Sequence, residues 1–397
     1  MNELSRRILM LFRATRASLF VAPLLASCLN AQTPTSPAGG AAIKSPTPES
    51  TTGVVVAETY AEGLQHPWGM AFLPDGRMLV TERAGRLRIV ARDGSLSAPL
   101  TGVPEVMARG QGGLLDVAID PNFATNRMVY LSFSEPGAEG TAGTAVAKGR
   151  LGAAGLENVQ VIWSQQPKVR SNQHYGSRLV FRNDGTLFIT TGDRGNQRPL
   201  VQDLSATIGK VIRINTDGSI PRDNPFVGRA GARGEIWSYG HRNMQGATLA
   251  PDGTLWTTEH GPRGGDELNR TEAGNNYGWP VITYGEEYQG GAIGEGTAKA
   301  GMEQPIWYWD PVIAASGLTF YTGDAIPGWK GSILAGSMTP GGLVRLEMQN
   351  GRVVKETRYL VEMKQRFRAV KQGPDGLVYV LTDQPEGRVL RIKPAGR

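Results

Sequence analysis

Cysteine is almost absent from this 397-residue chain. It holds one, Cys28, which excludes an intrachain disulfide, a cysteine-rich zinc site and an iron–sulfur cluster. Histidine is scarce too, with only His66, His174, His241 and His260. Charged residues make up 20% of the chain, below the usual ~25%, so it is no disordered polyelectrolyte. Sustained helical periodicity is missing. No G-x-G-x-x-G opens a helix, so a Rossmann nicotinamide site is unsupported. H-E-x-x-H, P-loop and G-x-S-x-G sequences are absent as well. The formal charge of +6 would suit an anionic partner. No Lys/Arg stripe interleaved with aromatics occurs, however, and nucleic acid is not expected.

Part of the basic excess sits at the N-terminus. Arg6, Arg7, Arg13 and Arg16 form a positive region ahead of a short apolar run, Ala17 to Ala26, which is too short to span a bilayer as a stable helix. The run ends in Leu25-Ala26-Ser27-Cys28, which resembles the bacterial lipobox. That resemblance implies a signal peptide over 1–27, cleavage before Cys28 and lipidation of its thiol. An ordinary signal peptide with an incidental cysteine is the alternative. Ser5-Arg6-Arg7 is also a twin-arginine candidate. Either way the protein is expected to leave the cytoplasm for the periplasm or cell surface, with a lipid on Cys28 as its only membrane attachment. Loss of residues 1–27 would lower the net charge from +6 to +3. Residues 28–52 are rich in Pro, Ala, Ser and Thr, and a flexible linker is expected there, ahead of a folded domain over 53–397.

Glycine is what the chain has in excess: 53 residues, nearly twice the usual ~7%. Much of it falls in one repeated pattern. An apolar strand, a turn and a second apolar strand recur in GMAFLPDGRMLVTE (69–82), SRLVFRNDGTLFITTGD (177–193), GATLAPDGTLWTTE (246–259) and AVKQGPDGLVYVLTD (369–383). Two looser copies are LLDVAIDPNFATNRMVYLSFS (114–134) and GLTFYTGDAIPGWKGSILAGS (317–337). Asp-Gly between β-rich runs is a strong hairpin signal. Six such units at roughly 57 residues each fit an all-β fold, a six-bladed β-propeller with four-stranded antiparallel blades. The segment at Val54-Val55-Val56 is placed to close the ring by joining the last blade.

In a blade, the residues just before the first strand and just after the second lie at the same end. Gln111, His174, Arg242, Asn243, Arg366 and Arg368 precede first strands, and Asp193 and His260 follow second strands. These residues therefore converge on one mouth of one channel. Each has a plainer reading: a structural histidine, a turn-capping aspartate, a solvated pair of arginines, a loop punctuated by Gly261-Pro262. The functional reading is more specific. Three arginines suit a flat ligand bearing carboxylates. A His beside an Asp has the form of a base and its orienter. Carbonyls of a Gly/Pro-rich turn can ligate a hard cation such as calcium.

At these residues the chain resembles the soluble, quinone-dependent glucose/sorbosone dehydrogenase family, and within it the bacterial aldose sugar dehydrogenases. The resemblance runs from about Tyr60 to Pro394. It is carried by Gly110-Gln111-Gly112-Gly113-Leu114-Leu115-Asp116, Gln173-His174-Tyr175-Gly176-Ser177-Arg178-Leu179, Thr191-Gly192-Asp193-Arg194-Gly195-Asn196 and Gly240-His241-Arg242-Asn243-Met244-Gln245-Gly246. Glu259-His260-Gly261-Pro262-Arg263-Gly264-Gly265-Asp266-Glu267, Asn276-Tyr277-Gly278-Trp279-Pro280 and Arg366-Phe367-Arg368 follow in the same order. The resemblance implies pyrroloquinoline quinone (PQQ) with calcium, and oxidation of the anomeric hydroxyl of aldose sugars to lactones, the electrons passing on to an unidentified acceptor. It implies His174 as general base, Asp193 as its orienter and Arg242 as the group that polarises the quinone. Gln111, Asn243, His260, Asp266, Arg366 and Arg368 would hold the cofactor, and the carbonyls of Gly261 and Pro262 would hold calcium.

Two departures stand out. His260 occupies a position where glucose-oxidising relatives carry Gln. The stretch Ser337-Met338-Thr339-Pro340-Gly341-Gly342 lacks the lysine that contacts the cofactor in those relatives. Two other classes remain open from the sequence. A calcium-dependent propeller lactonase would expect carboxylates at the mouth, where this chain has arginines. A non-catalytic surface-binding lipoprotein would leave the His174–Asp193 pairing without a purpose.

Overall fold

The structure is a computed structural model that describes residues 41–396. The expected signal peptide and Cys28 lie outside the described residues. The alternating runs form six antiparallel sheets. Blade 1 comprises Pro67–Phe72, Met78–Glu82 and Arg86–Val90. Blade 2 comprises Leu114–Ile119, Met128–Pro136, Ala142–Leu151 and Leu156–Ser164. Blade 3 comprises Leu179–Phe181, Leu187–Thr190, Lys210–Ile214 and Ile236–Tyr239. Blade 4 comprises Met244–Leu249, Leu255–Glu259, Asp266–Thr271 and Trp307–Trp309. Blade 5 comprises Ala315–Phe320, Ile333–Ser337, Gly342–Gln349 and Arg352–Tyr359. Blade 6 comprises Phe367–Gln372, Val378–Thr382 and Gly387–Pro394, with Val55–Leu64 as its outermost strand.

The innermost strands touch one another in cyclic order, blade 6 returning to blade 1. The expected closure is present: Val55 pairs with Pro394 and Val56 with Lys393, so the N-terminal strand completes the last blade. Hydrogen bonds between the two ends of the domain lock the ring.

The strand pattern explains the core. Adjacent residues of a strand point to opposite faces, so each second strand feeds two interfaces. Leu79 packs between blades 1 and 2, while Val80 packs between blades 6 and 1. Phe188 faces blade 4 and Ile189 faces blade 2. Every pair of neighbouring blades thus shares an apolar cluster, and each fully buried Leu, Ile or Phe in it contributes about 1.5–3 kcal/mol. The Asp-Gly turns behave as expected. At Asp75-Gly76 the carboxylate accepts the Arg77 N–H at 3.0 Å, and Gly76 takes φ +84°, which a side chain would resist. Asp184, Asp252 and Asp375 make the same carboxylate turn.

The structure differs from the expected linker in one respect. Residues 43–44 and 49–51 are short parallel strands on the outer edges of blades 4 and 5. Ser45 Oγ donates to the buried Glu356 carboxylate at 2.7 Å. Edge strands expose unpaired N–H and C=O groups, and a segment too polar to build a core can still pair through its backbone. Among the described residues, no helix is long and apolar enough to cross a membrane.

Candidate active site

The ends of the inner strands bound a cavity of about 470 Å³ at one mouth of the channel. Its wall includes Gln111, Asn243, His260, Arg366 and Arg368, brought together from blades 2, 4 and 6. His174, Asp193 and Arg242 stand beside this wall.

His174 sits in the left-handed region, φ +50°, before the first strand of blade 3. Its N–H donates to Gln111 Oε1 at 2.8 Å, which ties it to blade 2. The close approach of Gly192 makes room for it: a Cβ there would lie 2.2 Å from the His174 carbonyl oxygen. Nδ1 of His174 lies 2.6 Å from Asp193 Oδ1. Asp193 also accepts the Gly195 N–H at 2.7 Å and the Trp279 indole N–H at 2.8 Å. Burial alone would raise the Asp193 carboxyl. The hydrogen bond and charge of His174, with Arg242 nearby, outweigh burial and hold it below its ordinary value. The dyad has an ionised orienter, and Nδ1–H of the ring is fixed toward it.

Arg242 projects from the segment before blade 4. Its Nη1 donates to the carbonyls of His260 and Gly261 at 2.9 and 2.7 Å, and its Nη2 lies 3.3 Å from the Tyr288 hydroxyl. Its Nε is buried without a partner. His260 Nε2 is also buried and unpartnered. Burial, followed by the charges of Arg368 and Arg242, pushes the His260 imidazole well below its ordinary value, so it is neutral.

Arg366 and Arg368 face the same side, as their spacing suggested. Both reach Asp383 Oδ2, at 3.4 and 2.6 Å. Arg368 Nη1 also donates to Gln245 Oε1 at 2.8 Å, and its Nε has no partner. Asn243 Oδ1 accepts the Gly176 N–H at 3.3 Å. Asp266 is placed differently from the wall residues. Its oxygens accept the N–H groups of Gly261, Ile313 and Ala315 at 2.8, 2.9 and 3.2 Å, so it fixes the Gly261 turn from behind. Burial pushes its carboxyl up to about 6.

Behind the lining residues Trp68, Gln245 and Arg368 lies a buried arginine. Arg178 donates to the carbonyls of Gln245 and Arg368 at 2.7 and 2.9 Å and to Asp116 Oδ1 at 3.3 Å. Its guanidinium lies 4.0 Å from the Trp68 ring centroid. It braces blades 2, 3, 4 and 6 together beneath the site.

The profile of the glucose/sorbosone dehydrogenase family, described as "Glucose / Sorbosone dehydrogenase", matches residues 64–391. The chain belongs to the glucose/sorbosone dehydrogenase family. It is 44% identical over 385 residues to aldose sugar dehydrogenase YliI of Escherichia coli strain K12, covering 96% of this chain and 99% of that one. The crystal structure of the soluble aldose sugar dehydrogenase from Escherichia coli in the apo form superposes with a TM-score of 0.84 at 45% identity, over 86% of this chain and 99% of that one. The PQQ-bound aldose sugar dehydrogenase from Streptomyces coelicolor superposes with a TM-score of 0.72 at 26% identity, again over 86% and 99%.

In this glucose/sorbosone dehydrogenase family member, the wall also includes His66, Trp68, Arg83 and Asp383, which the sequence reading does not single out. Asp383 follows the second strand of blade 6 as Asp193 follows that of blade 3, and Arg83 follows that of blade 1. The same positional rule, applied to every blade, finds both. Burial would raise the Asp383 carboxyl, yet Arg368, Arg83 and Arg366 hold it far below the usual carboxylate range. The stretch without a lysine offers a backbone contact to the cluster, since Arg366 Nη1 donates to the Met338 carbonyl at 3.3 Å.

Proposed function

We propose that this protein oxidises the anomeric hydroxyl of aldose sugars to the lactone in a PQQ-dependent reaction. The observation that carries the reading is the His174–Asp193 pair at 2.6 Å, set beside a cationic cavity. The cavity suits a flat polyanion. Arg83, Arg366 and Arg368 line it, and buried Nε atoms of Arg83, Arg242 and Arg368 and Nε2 of His260 have no partner. A buried unpaired donor costs about 1–3 kcal/mol, so a ligand rich in acceptor oxygens gains by meeting these atoms.

In this reading Arg366 and Arg368 hold cofactor carboxylates, with Arg83 adding a cation where the family lysine is missing. Gln111, Asn243 and neutral His260 supply polar contacts, and Asp266 acts through the Gly261 turn it fixes. PQQ, when bound, supplies the two-electron acceptor. Asp193 keeps the Nδ1 proton of His174, which leaves Nε2 to take the proton of the anomeric hydroxyl as C1 gives up its hydride. The C1–O bond becomes the lactone carbonyl. Arg242 offers positive charge to the oxygen on which negative charge grows.

Calcium fits as a shared ion. Gly261 and Pro262 offer two hard carbonyl oxygens of the six to eight that calcium takes, and Gly261 O is held by Arg242. Among the described residues, no group of three His, Cys, Asp or Glu could hold a metal ion. Export and lipidation at Cys28 complete the proposal, supported by the lipobox-like sequence.

The test is reconstitution. PQQ and calcium are added to purified apoprotein, and dye reduction is followed with several aldoses. Turnover with at least one aldose is expected. No reduction with any sugar would overturn the reading.

A further inference from the structure

The central channel has a second opening. A cavity of about 310 Å³ lies further along the same inner strands that bound the arginine-rich one. Leu115 of the first cavity gives way to Val117 of the second, Gln245 to Ala247, and Arg368 to Lys371. Between the two sets stand the buried side chains of Asp116 and Arg178. Arg178 bonds across the ring to blades 2, 4 and 6. The second cavity is therefore a separate place, at the far mouth of the channel. Its volume falls at the lower end of the range for small-molecule sites, about 300–1,000 Å³.

Most of its wall is apolar. Phe72, Ile119 and Phe181 come from blades 1, 2 and 3. Blade 6 supplies the contrast, with Lys371 and Gln372. Among the described residues, Lys371 Nζ has no hydrogen-bond partner. The carboxylate that acts on it, Asp116, is already engaged. Its oxygens accept from Arg178 Nη1 at 3.3 Å and from the Leu179 N–H at 3.0 Å. Two cations thus share one carboxylate inside the channel. Burial lowers the Lys371 ammonium from its ordinary value; the Asp116 charge opposes this and the Arg178 charge adds to it. Gln372 brings a second free donor. Its Oε1 accepts the Thr322 and Gly323 N–H groups at 2.8 and 3.1 Å. Those two bonds fix which end of the amide is oxygen, and the Nε2 hydrogens are left without an acceptor.

A cation and an amide donor, both lacking acceptors, border an apolar wall. A neutral apolar ligand would leave the ammonium unpaired, which is costly in a dry site. An inorganic anion would leave the apolar wall uncovered. We infer that the far mouth of the channel binds a small monocarboxylate with an apolar body. The carboxylate meets Lys371 and Gln372, and the body lies against Phe72, Ile119 and Phe181. The site stands apart from the proposed oxidation, and none of its residues is assigned to the cofactor or to proton transfer.

The test is titration calorimetry on the full protein, with benzoate as the probe and benzyl alcohol as its neutral counterpart. The wild type is expected to bind benzoate about tenfold more tightly than benzyl alcohol. Lys371→Met, close to lysine in shape, is expected to weaken benzoate by about tenfold to a hundredfold, the scale of a charge-assisted hydrogen bond. It should leave benzyl alcohol unchanged. Lys371→Arg keeps the charge and is expected to retain most of the binding. Arg368→Ala is expected to bind benzoate as the wild type does, because that guanidinium lies at the other mouth. Circular dichroism and thermal melting check the fold of each variant. No heat with benzoate, equal affinity for benzyl alcohol, or full affinity in Lys371→Met would overturn the site. A loss confined to Arg368→Ala would place the anion in the first cavity and overturn it as well. Inorganic phosphate bound as tightly as benzoate would do the same, since the apolar wall would then contribute nothing.

Discussion

Trp279 donates its indole N–H to Asp193 Oδ2 at 2.8 Å, on the oxygen opposite the one that faces His174. Two guanidinium groups lie near the Trp279 ring, Arg198 at 5.0 Å and Arg242 at 5.3 Å from its centroid. The indole thus fixes both the carboxylate and, through Arg242, the cationic side of the site. Trp279→Phe keeps most of the packing and removes the donor. Steady-state kinetics on the reconstituted enzyme should show kcat lower by about tenfold with KM little changed, the usual cost of losing a supporting hydrogen bond. A change in KM alone would show that Trp279 acts on binding.

His174→Ala should abolish most turnover, by about 10²–10⁴-fold, the range for general bases. Titration of PQQ by fluorescence quenching should give a dissociation constant close to that of the wild type. A variant with near-normal rates would remove His174 from the role of base.

Arg368→Ala should weaken PQQ binding by about tenfold to a hundredfold, the scale of a buried charge-assisted hydrogen bond. Arg366 is 48% exposed against 9% for Arg368, so Arg366→Ala should cost less and its effect should fall with added salt. Equal losses for the two would contradict this ranking.

Asp383 links pH to stability. Its folded carboxyl lies far below the unfolded value of 3.8. A depressed carboxyl contributes stability that is present above the unfolded value and is lost as pH falls toward the folded one. Wild type should therefore melt above Asp383→Asn at pH 7. The gap should narrow as pH falls below 3.8. Melting followed by circular dichroism at both ends of this window checks the sign.

Cys28→Ser, expressed in a bacterium with a lipoprotein pathway, should move the full chain from the membrane fraction to the soluble exported fraction. An unchanged distribution would leave the N-terminal segment as an ordinary signal peptide.

Several of these residues were legible in the chain before any fold. The Asp-Gly turns and alternating strands located all six first hairpins, and Val55 was expected where the ring closes. Gln111, His174, Asp193, Arg242, Asn243, His260, Arg366 and Arg368 were found by their places beside strand ends. Such features are local, because a turn and its flanking strands are decided by residues near one another in the chain. Asp383 and Arg83 obey the same rule, at the ends of the second strands of blades 6 and 1. Trp68 was out of reach, since an aromatic in a strand looks like core until a cavity opens beside it.

The sequence alone determined the repeat, the hairpins and the supply of polar groups at one end of each unit. Only the tertiary structure decided which of those groups meet. Trp279 reaches Asp193 across 86 residues, and Arg178 reaches the Arg368 carbonyl across 190. The unpartnered His66 Nδ1 and Asp383 Oδ1 face each other because the first and last blades are neighbours in a closed ring. Asp266 turns inward to backbone N–H groups, where the family resemblance implies a place among the ligand-holding residues. Long-range contacts depend on ring closure and on side-chain direction at strand ends, and neither is written in any short stretch of chain.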